Sequence, residues 1–370
     1  MYGCGMGAHA GTAVMTILFV DKVMAGVCRE PPRGVELFNI RLLQELAAQG
    51  FRVTALVHPS WEPYLGEHPD LACVYVKRGG KAPDQAGPAQ MLRHLKGRTF
   101  DVLLLGNVAN RLVGFVIGAI WTRLCGNCLV IAHREPSRRV LWAQRLWPQT
   151  VVVAVNRQIA SHYLRAGFAR TTVYYGITGA SAYLQQEPRA AQGTIRFCVV
   201  GNLENVWKGA DTAIAAFRAL PASVRETCEL HLASYHEVPT FPEKNIVPYG
   251  WMAAAEMPAF LGRMDVMVVP SRDERVMRET FSQVMVQGML SGLPMIVTAL
   301  PILTEKLDQG GGIITEDIAS MAAAMEQLAG SASLRQRMGA EARATAQARY
   351  IWNTRNFAER FLFPLCKANA

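Results

Sequence analysis

The first half of the chain alternates short apolar runs with longer amphipathic stretches. Amphipathic spacing predicts a helix over residues 37–49, and the apolar segment 112–121 predicts a buried helix, because a membrane span needs about twenty residues. Five apolar runs predict buried strands of a parallel sheet: residues 16–20, 50–57, 100–105, 128–133 and 151–155. Strands that alternate with helices in this way are typical of an α/β domain.

The second half repeats this alternation. Apolar runs over residues 195–201, 266–270 and 295–298 predict three further strands, with an amphipathic helix after the first of them. A loop over residues 177–193, rich in Ala, Gln and Gly, predicts the boundary between two domains, and residues 350–361 predict a terminal amphipathic helix. The predicted organisation has four parts: a disordered leader (1–14), two α/β domains (15–180 and 181–345) and a C-terminal helical segment (346–370).

Composition agrees with this division and bears on the location of the protein. At 370 residues with 51% hydrophobic content, the chain is long enough for two cores. The glycine-rich start precedes the first predicted strand, so it cannot act as a dinucleotide-binding turn, and Met15 is an alternative start. Of eight scattered cysteines only Cys125 and Cys128 are close together, which favours reduced thiols over a zinc site. With no apolar leader after a basic start, we expect a cytoplasmic protein.

Charge is unevenly distributed. Residues 1–180 carry a balance of +10 and residues 181–370 a balance of −1, which together give the formal +9. A basic half suggests anionic partners such as phospholipid headgroups or lipid-linked phosphates, whereas nucleic acid is not expected without a recognition module. One segment interleaves arginine with tryptophan: Arg134, Arg138, Arg139, Trp142, Arg145 and Trp147. Such a segment is either a helix at a membrane interface or a surface helix with its tryptophans in the core.

The most informative segment follows the predicted strand at 266–270. Glu279 precedes a predicted helix, and Gly292 and Pro294 end that helix before the next strand. A helix N-terminus at the carboxyl edge of a parallel sheet attracts phosphate, because its backbone N–H groups are unpaired. A carboxylate at this point suits a sugar hydroxyl or a developing positive charge. The alternative is an ordinary crossover with a solvated Glu279.

This segment resembles the donor-site motif of the retaining glycosyltransferases of family 4. In that family a Glu, seven further residues and a second Glu precede a turn ending in Gly-x-Pro; here the first is Glu279, and Gln287 stands at the second position. The resemblance implies that Glu279 contacts the donor sugar and Gln287 the ribose hydroxyls. It also implies that the helix start holds the donor diphosphate through Thr280, Phe281 and Ser282.

Residues 195–217 resemble the phosphate-binding segment of the same family. Gly201 and Lys208 match it, and the resemblance implies that the ammonium of Lys208 neutralises the diphosphate. Asn202 stands where the family has Arg, so one charge-assisted pair is lost. Arg272, Arg275 and Arg278 either replace that charge or form a solvated loop. Trp251, at the end of a segment resembling the strand beside the nucleobase, either stacks on a base or caps the core.

The first half resembles the family more loosely. Gly34 matches one glycine of the loop after the first strand, and Arg33 replaces the other, either to hold an anionic acceptor or phosphate or as a solvated side chain. His133 ends a predicted strand, where a histidine serves either a structural role or a substrate hydroxyl. The resemblance implies that His133 lies near the donor sugar. Arg134 is a second candidate for the acceptor side.

The resemblance therefore implies the GT-B fold: two facing Rossmann-like domains with a cleft between them and a C-terminal helix that crosses back to the first domain. It implies a metal-independent retaining transfer from a nucleotide-diphosphate sugar to a hydroxyl acceptor, which is a glycan, a lipid-linked sugar or a small molecule. His133, Lys208 and Glu279 would be catalytic, with no cofactor beyond the donor. The enzyme would be cytoplasmic, either free or peripheral at the inner face of the membrane. The alternatives are a nucleotide-sugar epimerase, a sugar phosphorylase or a non-catalytic nucleotide-binding protein of the same fold.

Overall fold

The computed structural model describes residues 14–28, 32, 34–76, 87–106, 112–147, 149–186, 193–234, 237–273 and 279–367. The leader predicted to be disordered lies outside these residues except for Val14. The chain divides into two compact units: unit 1 contains residues 1–155, 159–174 and 353–370, and unit 2 contains residues 156–158 and 175–352.

Unit 1 is built on a sheet of seven parallel strands. These are β1 (Thr16–Val20), β2 (Arg52–Val57), β3 (Leu71–Tyr75), β4 (Phe100–Leu105), β5 (Cys125–Ala132), β6 (Val151–Ala154) and β7 (Thr171–Val173). Their order is β3-β2-β1-β4-β5-β6-β7, and Ile17 in β1 pairs with Val53 on one side and Val102 on the other. The chain order reverses between β1 and β4, which is where an open α/β sheet leaves a crevice.

The helices of this half connect the strands. They are α1 (Val35–Ala48), α2 (Glu62–Leu65), α3 (Pro88–His94), α4 (Val113–Trp121), α5 (Arg138–Arg145) and α6 (Arg157–Arg165). An apolar stripe of Phe38, Leu42 and Leu46 buries one face of α1, and the Ser137 hydroxyl caps α5 by accepting from the Val140 N–H at 3.3 Å. Among the described helices, none is both long and apolar enough to cross a membrane.

Unit 2 contains a second parallel sheet, of six strands. These are β8 (Ile195–Gly201), β9 (Cys228–Ser234), β10 (Ile246–Trp251), β11 (Val266–Val269), β12 (Met295–Thr298) and β13 (Gly312–Thr315). Their order is β10-β9-β8-β11-β12-β13, so the order reverses between β8 and β11. Apolar side chains such as Phe197, Phe217 and Met325 fill the core on one face of this sheet.

The described residues of unit 2 also form α-helices that accompany the second sheet. They are α7 (Ser181–Leu184), α8 (Ala210–Arg218), α9 (Ala222–Arg225), α10 (Met257–Leu261), α11 (Gln283–Leu290), α12 (Pro301–Thr304), α13 (Ile318–Gly330) and α14 (Ala332–Arg349). The start of α13 is fixed by a reciprocal cap between Asp317 and Ser320.

The C-terminal segment forms a continuous helix from residue 354 to residue 367 within unit 1. It consists of α15 (Thr354–Phe357), a π-helical turn (Ala358–Leu362) and α16 (Phe363–Lys367). The helix predicted over residues 350–361 begins too early, because Ile351 forms a parallel bridge with Ile177 and Asn353 caps the start of the helix. Within unit 1, Thr354 hydrogen-bonds Glu45, and the Asn127 amide donates to the Leu365 carbonyl at 3.1 Å.

Candidate active site

The switch point of the second sheet lies between β8 and β11. Gly201 ends β8, and Pro270 follows β11 directly. The loops after these two strands carry Lys208 and Glu279. Ligands of open α/β sheets bind at the carboxyl ends of the strands where the order reverses, so both predicted residues stand where the topology favours a ligand.

Lys208 and Glu279 form an ion pair at this switch point. The Lys208 Nζ lies 2.6 Å from the Glu279 Oε2, and the two side chains are only 14% and 10% exposed. The other carboxylate oxygen, Oε1, accepts a hydrogen bond from the Ser282 N–H at 3.1 Å. The Lys208 ammonium also lies 4.3 Å from the Trp207 ring centroid. Glu279 therefore joins the lysine loop to the start of α11.

The lysine loop approaches the loop after β11 closely, and Gly209 permits that approach. Gly209 has φ +67°, and a Cβ built there would lie 1.9 Å from the Pro270 carbonyl oxygen. Arg272 continues the contact, since its N–H donates to the Trp207 carbonyl at 2.7 Å and its guanidinium to the Thr212 hydroxyl at 2.6 Å. Arg272 thus ties the two loops together, whereas Arg275 and Arg278 lie outside the described residues.

The segment before α11 is held by contacts within unit 2. The Thr280 carbonyl accepts from the Asn156 amide at 2.7 Å, and the buried Phe281 ring meets Tyr175 edge-on at 4.7 Å. Ser282 adopts a left-handed conformation with φ +58°, which is strained for a residue other than glycine. Because the Ser282 N–H already binds Glu279, its hydroxyl is the group left to contact a ligand.

Four buried polar atoms on the segments that follow β8 and β11 have no hydrogen-bond partner among the described residues. They are Asn202 Oδ1, Trp207 Nε1, Ser271 Oγ and Ser282 Oγ. Buried polar groups are nearly always paired, so such atoms at a switch point indicate a place for a polar ligand. Gln287 lies half-buried on α11. Trp251 ends β10, and its side chain lies outside the description, so the predicted stacking on a base stays a prediction.

Lys306 lies next to this site, and no pattern in the sequence singles it out. Its side chain is fully buried, its Nζ donates to the Ile302 carbonyl at 2.7 Å, and it stands 4.8 Å from the Phe281 ring centroid and 5.5 Å from that of Tyr350. Burial lowers the pKa of Lys306 to about 8, against the opposing effect of Glu305 and Glu279. A cation is therefore packed against the ring two residues after Glu279.

In unit 1, Gly34 and His133 lie toward the carboxyl edge of the first sheet. Gly34 has φ +49° and is the N-cap of α1, and His133 directly follows β5. The His133 ring is buried, and its centroid lies 5.7 Å from that of the Phe38 ring in the first turns of α1. Burial, together with the charge of Arg134, lowers the pKa of His133 to about 3, so its imidazole is neutral. Arg134 is exposed, and Arg33 lies outside the described residues.

Asp21 is a second residue that sequence reasoning missed. It directly follows β1 and is buried, and its Oδ1 accepts from the N–H groups of Val23 at 2.6 Å and Met24 at 3.2 Å. A Cβ built on Gly106, which follows β4, would lie 2.2 Å from its Oδ2. Asp21 and Gly106 thus occupy the switch point of the first sheet. The sequence signal that could have identified Asp21 is an acidic residue directly after a buried strand.

The second unit matches a known protein family. The family model described as glycosyl transferases group 1 matches residues 194–331. Over nearly the whole chain, the structure superposes on Anabaena Alr3699/HepE in complex with UDP, with a TM-score of 0.70, 15% identity, and 95% of this chain and 100% of that chain covered. The chain has the GT-B fold. The expectation of an α/β protein with two Rossmann-like domains is therefore confirmed.

Other GT-B proteins give the same agreement. Sucrose-phosphate synthase from Thermosynechococcus elongatus superposes with a TM-score of 0.68 and 16% identity over 97% of this chain and all of that one. WaaG, a glycosyltransferase involved in lipopolysaccharide biosynthesis, superposes with a TM-score of 0.61 and 16% identity over 90% of this chain and 96% of that one.

One curated relative is similar to this chain over a short region only. An uncharacterized 41.2 kDa protein in the cps region of Klebsiella pneumoniae is 32% identical over 108 residues, which span 29% of this chain and 26% of that protein. The family match at residues 194–331 contains every donor-side residue predicted in the second half. Those residues are Gly201, Asn202, Lys208, Trp251, Glu279, Thr280, Phe281, Ser282 and Gln287.

Proposed function

We propose that this protein is a retaining glycosyltransferase that moves a sugar from a nucleotide-diphosphate donor to a hydroxyl acceptor. One observation carries the proposal: the Lys208–Glu279 pair joins two segments at the switch point of the second sheet, and the same segments carry buried polar atoms without a partner among the described residues. The family match over residues 194–331 supports the same reaction class.

The donor would bind to unit 2. Lys208 supplies a positive charge for the diphosphate, and the Trp207 indole N–H and Ser282 hydroxyl supply uncharged donors beside it. Asn202 adds an amide where a charged group would bind phosphate more strongly. HepE, a structural neighbour, has been solved with UDP and with UDP-glucose, so uridine nucleotides are the first to test.

The proposed chemistry is a same-face displacement at the anomeric carbon. The acceptor oxygen forms a bond to that carbon while the bond to the donor phosphate breaks, and its electron pair leaves with the nucleoside diphosphate. The acceptor proton passes to an oxygen of the departing phosphate. Lys208 stabilises the charge that develops there, in place of a metal ion, and Glu279 orients the sugar and faces its developing positive charge.

Unit 1 would bind the acceptor. The neutral His133 imidazole can hydrogen-bond a sugar hydroxyl, and the adjacent exposed Arg134 can hold an anionic acceptor. The proposed acceptor is a glycan, a lipid-linked sugar or a small molecule.

Thermal unfolding with UDP, GDP, ADP and dTDP tests the donor site, because a ligand that binds the native state raises its stability. Transfer assays with the matching nucleotide sugar in EDTA then test metal independence, and NMR of the product anomer tests retention.

Conversion of the donor without any acceptor would instead indicate an epimerase. Nucleotide binding without any turnover would favour the non-catalytic alternative. Asn202 and Gln287 motivate that alternative, because they replace charged residues of the family motifs. No stabilisation by any nucleotide would overturn the donor site.

A further inference from the structure

Two tryptophans of unit 1 project into solvent at the ends of neighbouring helices. Trp121, the last residue of α4, is 86% exposed, and Trp142, in the second half of α5, is 57% exposed. Trp147, which the sequence placed in the same arginine-rich segment, is instead buried. Exposure of two such large aromatic side chains is unusual on a surface that contacts only water.

The topology brings these ends to one edge of the unit. Helices α4, α5 and α6 each follow the carboxyl end of a strand and lead to the amino end of the next, so their C-terminal ends lie at the amino edge of the sheet. The Arg145 guanidinium, at the end of α5, donates through Nε to the Ala166 carbonyl just after α6 at 2.9 Å. Leu146 and Leu164, which are 41% and 51% exposed, lie at the same two helix ends.

Arginines lie on and beside the same helices, and acids are almost absent from this part of the sequence. Residues 102–186 contain nine arginines, no lysine and a single acidic residue, Glu135. We name the set the arginine–tryptophan face. Its exposed members are Trp121, Arg123, Trp142, Arg145, Leu146, Leu164 and Arg165.

We propose that the arginine–tryptophan face docks the protein on an anionic phospholipid bilayer. Tryptophan rings prefer the boundary between headgroups and acyl chains, and arginines bind headgroup phosphates bidentately. The lack of acids removes the repulsion that anionic lipids would otherwise meet. Exposed leucines between the rings favour an apolar contact over a purely ionic one, which distinguishes a bilayer from a nucleic acid. This inference does not rest on the proposed function, because it requires neither donor nor acceptor.

The test is co-sedimentation of the full-length protein, without nucleotide, with phosphatidylcholine vesicles that contain or lack phosphatidylglycerol. We expect binding only to the anionic vesicles, and weaker binding as salt increases. The double variant Trp121→Ser/Trp142→Ser and the double variant Arg123→Glu/Arg165→Glu should each lower the partition coefficient at least about tenfold. Quenching of tryptophan fluorescence by brominated lipid should disappear in the first variant.

Matched controls lie in unit 2. Arg263→Glu/Arg337→Glu changes the net charge by the same amount at two exposed arginines, and Ile318→Ser removes an apolar side chain that is 44% exposed. Both should bind as the unchanged protein does, and circular dichroism confirms that every variant is folded. Equal binding to neutral vesicles, no binding at all, or loss in the charge variant only would each overturn the proposal. A monomer–dimer equilibrium abolished by the tryptophan variant, without lipid binding, would assign the face to a second copy.

Discussion

The Lys208 Nζ lies 2.6 Å from the Glu279 Oε2, although 71 residues separate the two in the chain. Both side chains are mostly buried, so removal of either charge leaves the other without its partner in a poorly solvated place. A donor diphosphate at Lys208 would share this ammonium with Glu279. The ion pair thus holds the lysine in position before the donor arrives.

Replacement of Glu279 should separate its charge from its structural contact. In Glu279→Gln the amide oxygen can still accept from the Ser282 N–H, but Lys208 loses its anionic partner in a mostly buried place, so we expect a lower melting temperature and a loss of transfer of at least about a hundredfold. Glu279→Ala removes both contacts and should lower the melting temperature further. Calorimetry and initial rates on both variants check this, and near-wild-type turnover of the Gln variant would refute a role for the carboxylate.

Lys208→Met should reduce the stabilisation of the transition state, because a positive charge at the diphosphate is lost. We expect about 2–4 kcal/mol less transition-state stabilisation and weaker binding of the nucleoside diphosphate. Steady-state kinetics and calorimetric titration with UDP measure the two effects. Lys244→Met, at an exposed position of unit 2, is the matched control and should leave both unchanged. Unaltered kinetics in Lys208→Met would remove this residue from the mechanism.

Gly209→Ala should disrupt the contact between the two loops of the site. The added Cβ would meet the Pro270 carbonyl oxygen at 1.9 Å, and φ of +67° is itself unfavourable for alanine. We expect at least about 2 kcal/mol lower unfolding free energy, measured by urea denaturation. Gly250→Ala is the control, because nothing lies within 4 Å of the Cβ that it would add. Equal stability of the two variants would contradict the close approach of the loops.

Sequence patterns were sufficient for features that depend on local order, and insufficient for those set by distant packing. The apolar runs predicted strands such as Val266–Val269, and the order of motifs singled out Lys208 and Glu279. The burial of Lys306 had no local signal, because it depends on Phe281 and Tyr350 from other parts of the chain. The start of the predicted tail helix was misplaced for a similar reason: its periodicity continues through Ile351, but that residue pairs with the distant Ile177.

Lys306 should make the stability of the protein depend on pH in alkaline solution. Burial lowers its pKa from 10.5 to about 8, so between these values the unfolded chain binds more protons than the folded one. The unfolding free energy should therefore rise with pH through this range, by about 3 kcal/mol for a shift of this size.

Lys306→Met isolates this contribution, because the variant keeps the titratable groups around Lys306, such as Glu305 and Tyr350. The variant loses the hydrogen bond to Ile302 and the contact with the Phe281 ring, but it also loses the cost of burying a charge. Urea unfolding from pH 7 to pH 10 should show that the stability advantage of the variant is largest at pH 7 and shrinks as the pH rises. Parallel curves for the two proteins would mean that Lys306 is protonated equally in the folded and unfolded states, contrary to its burial behind Phe281.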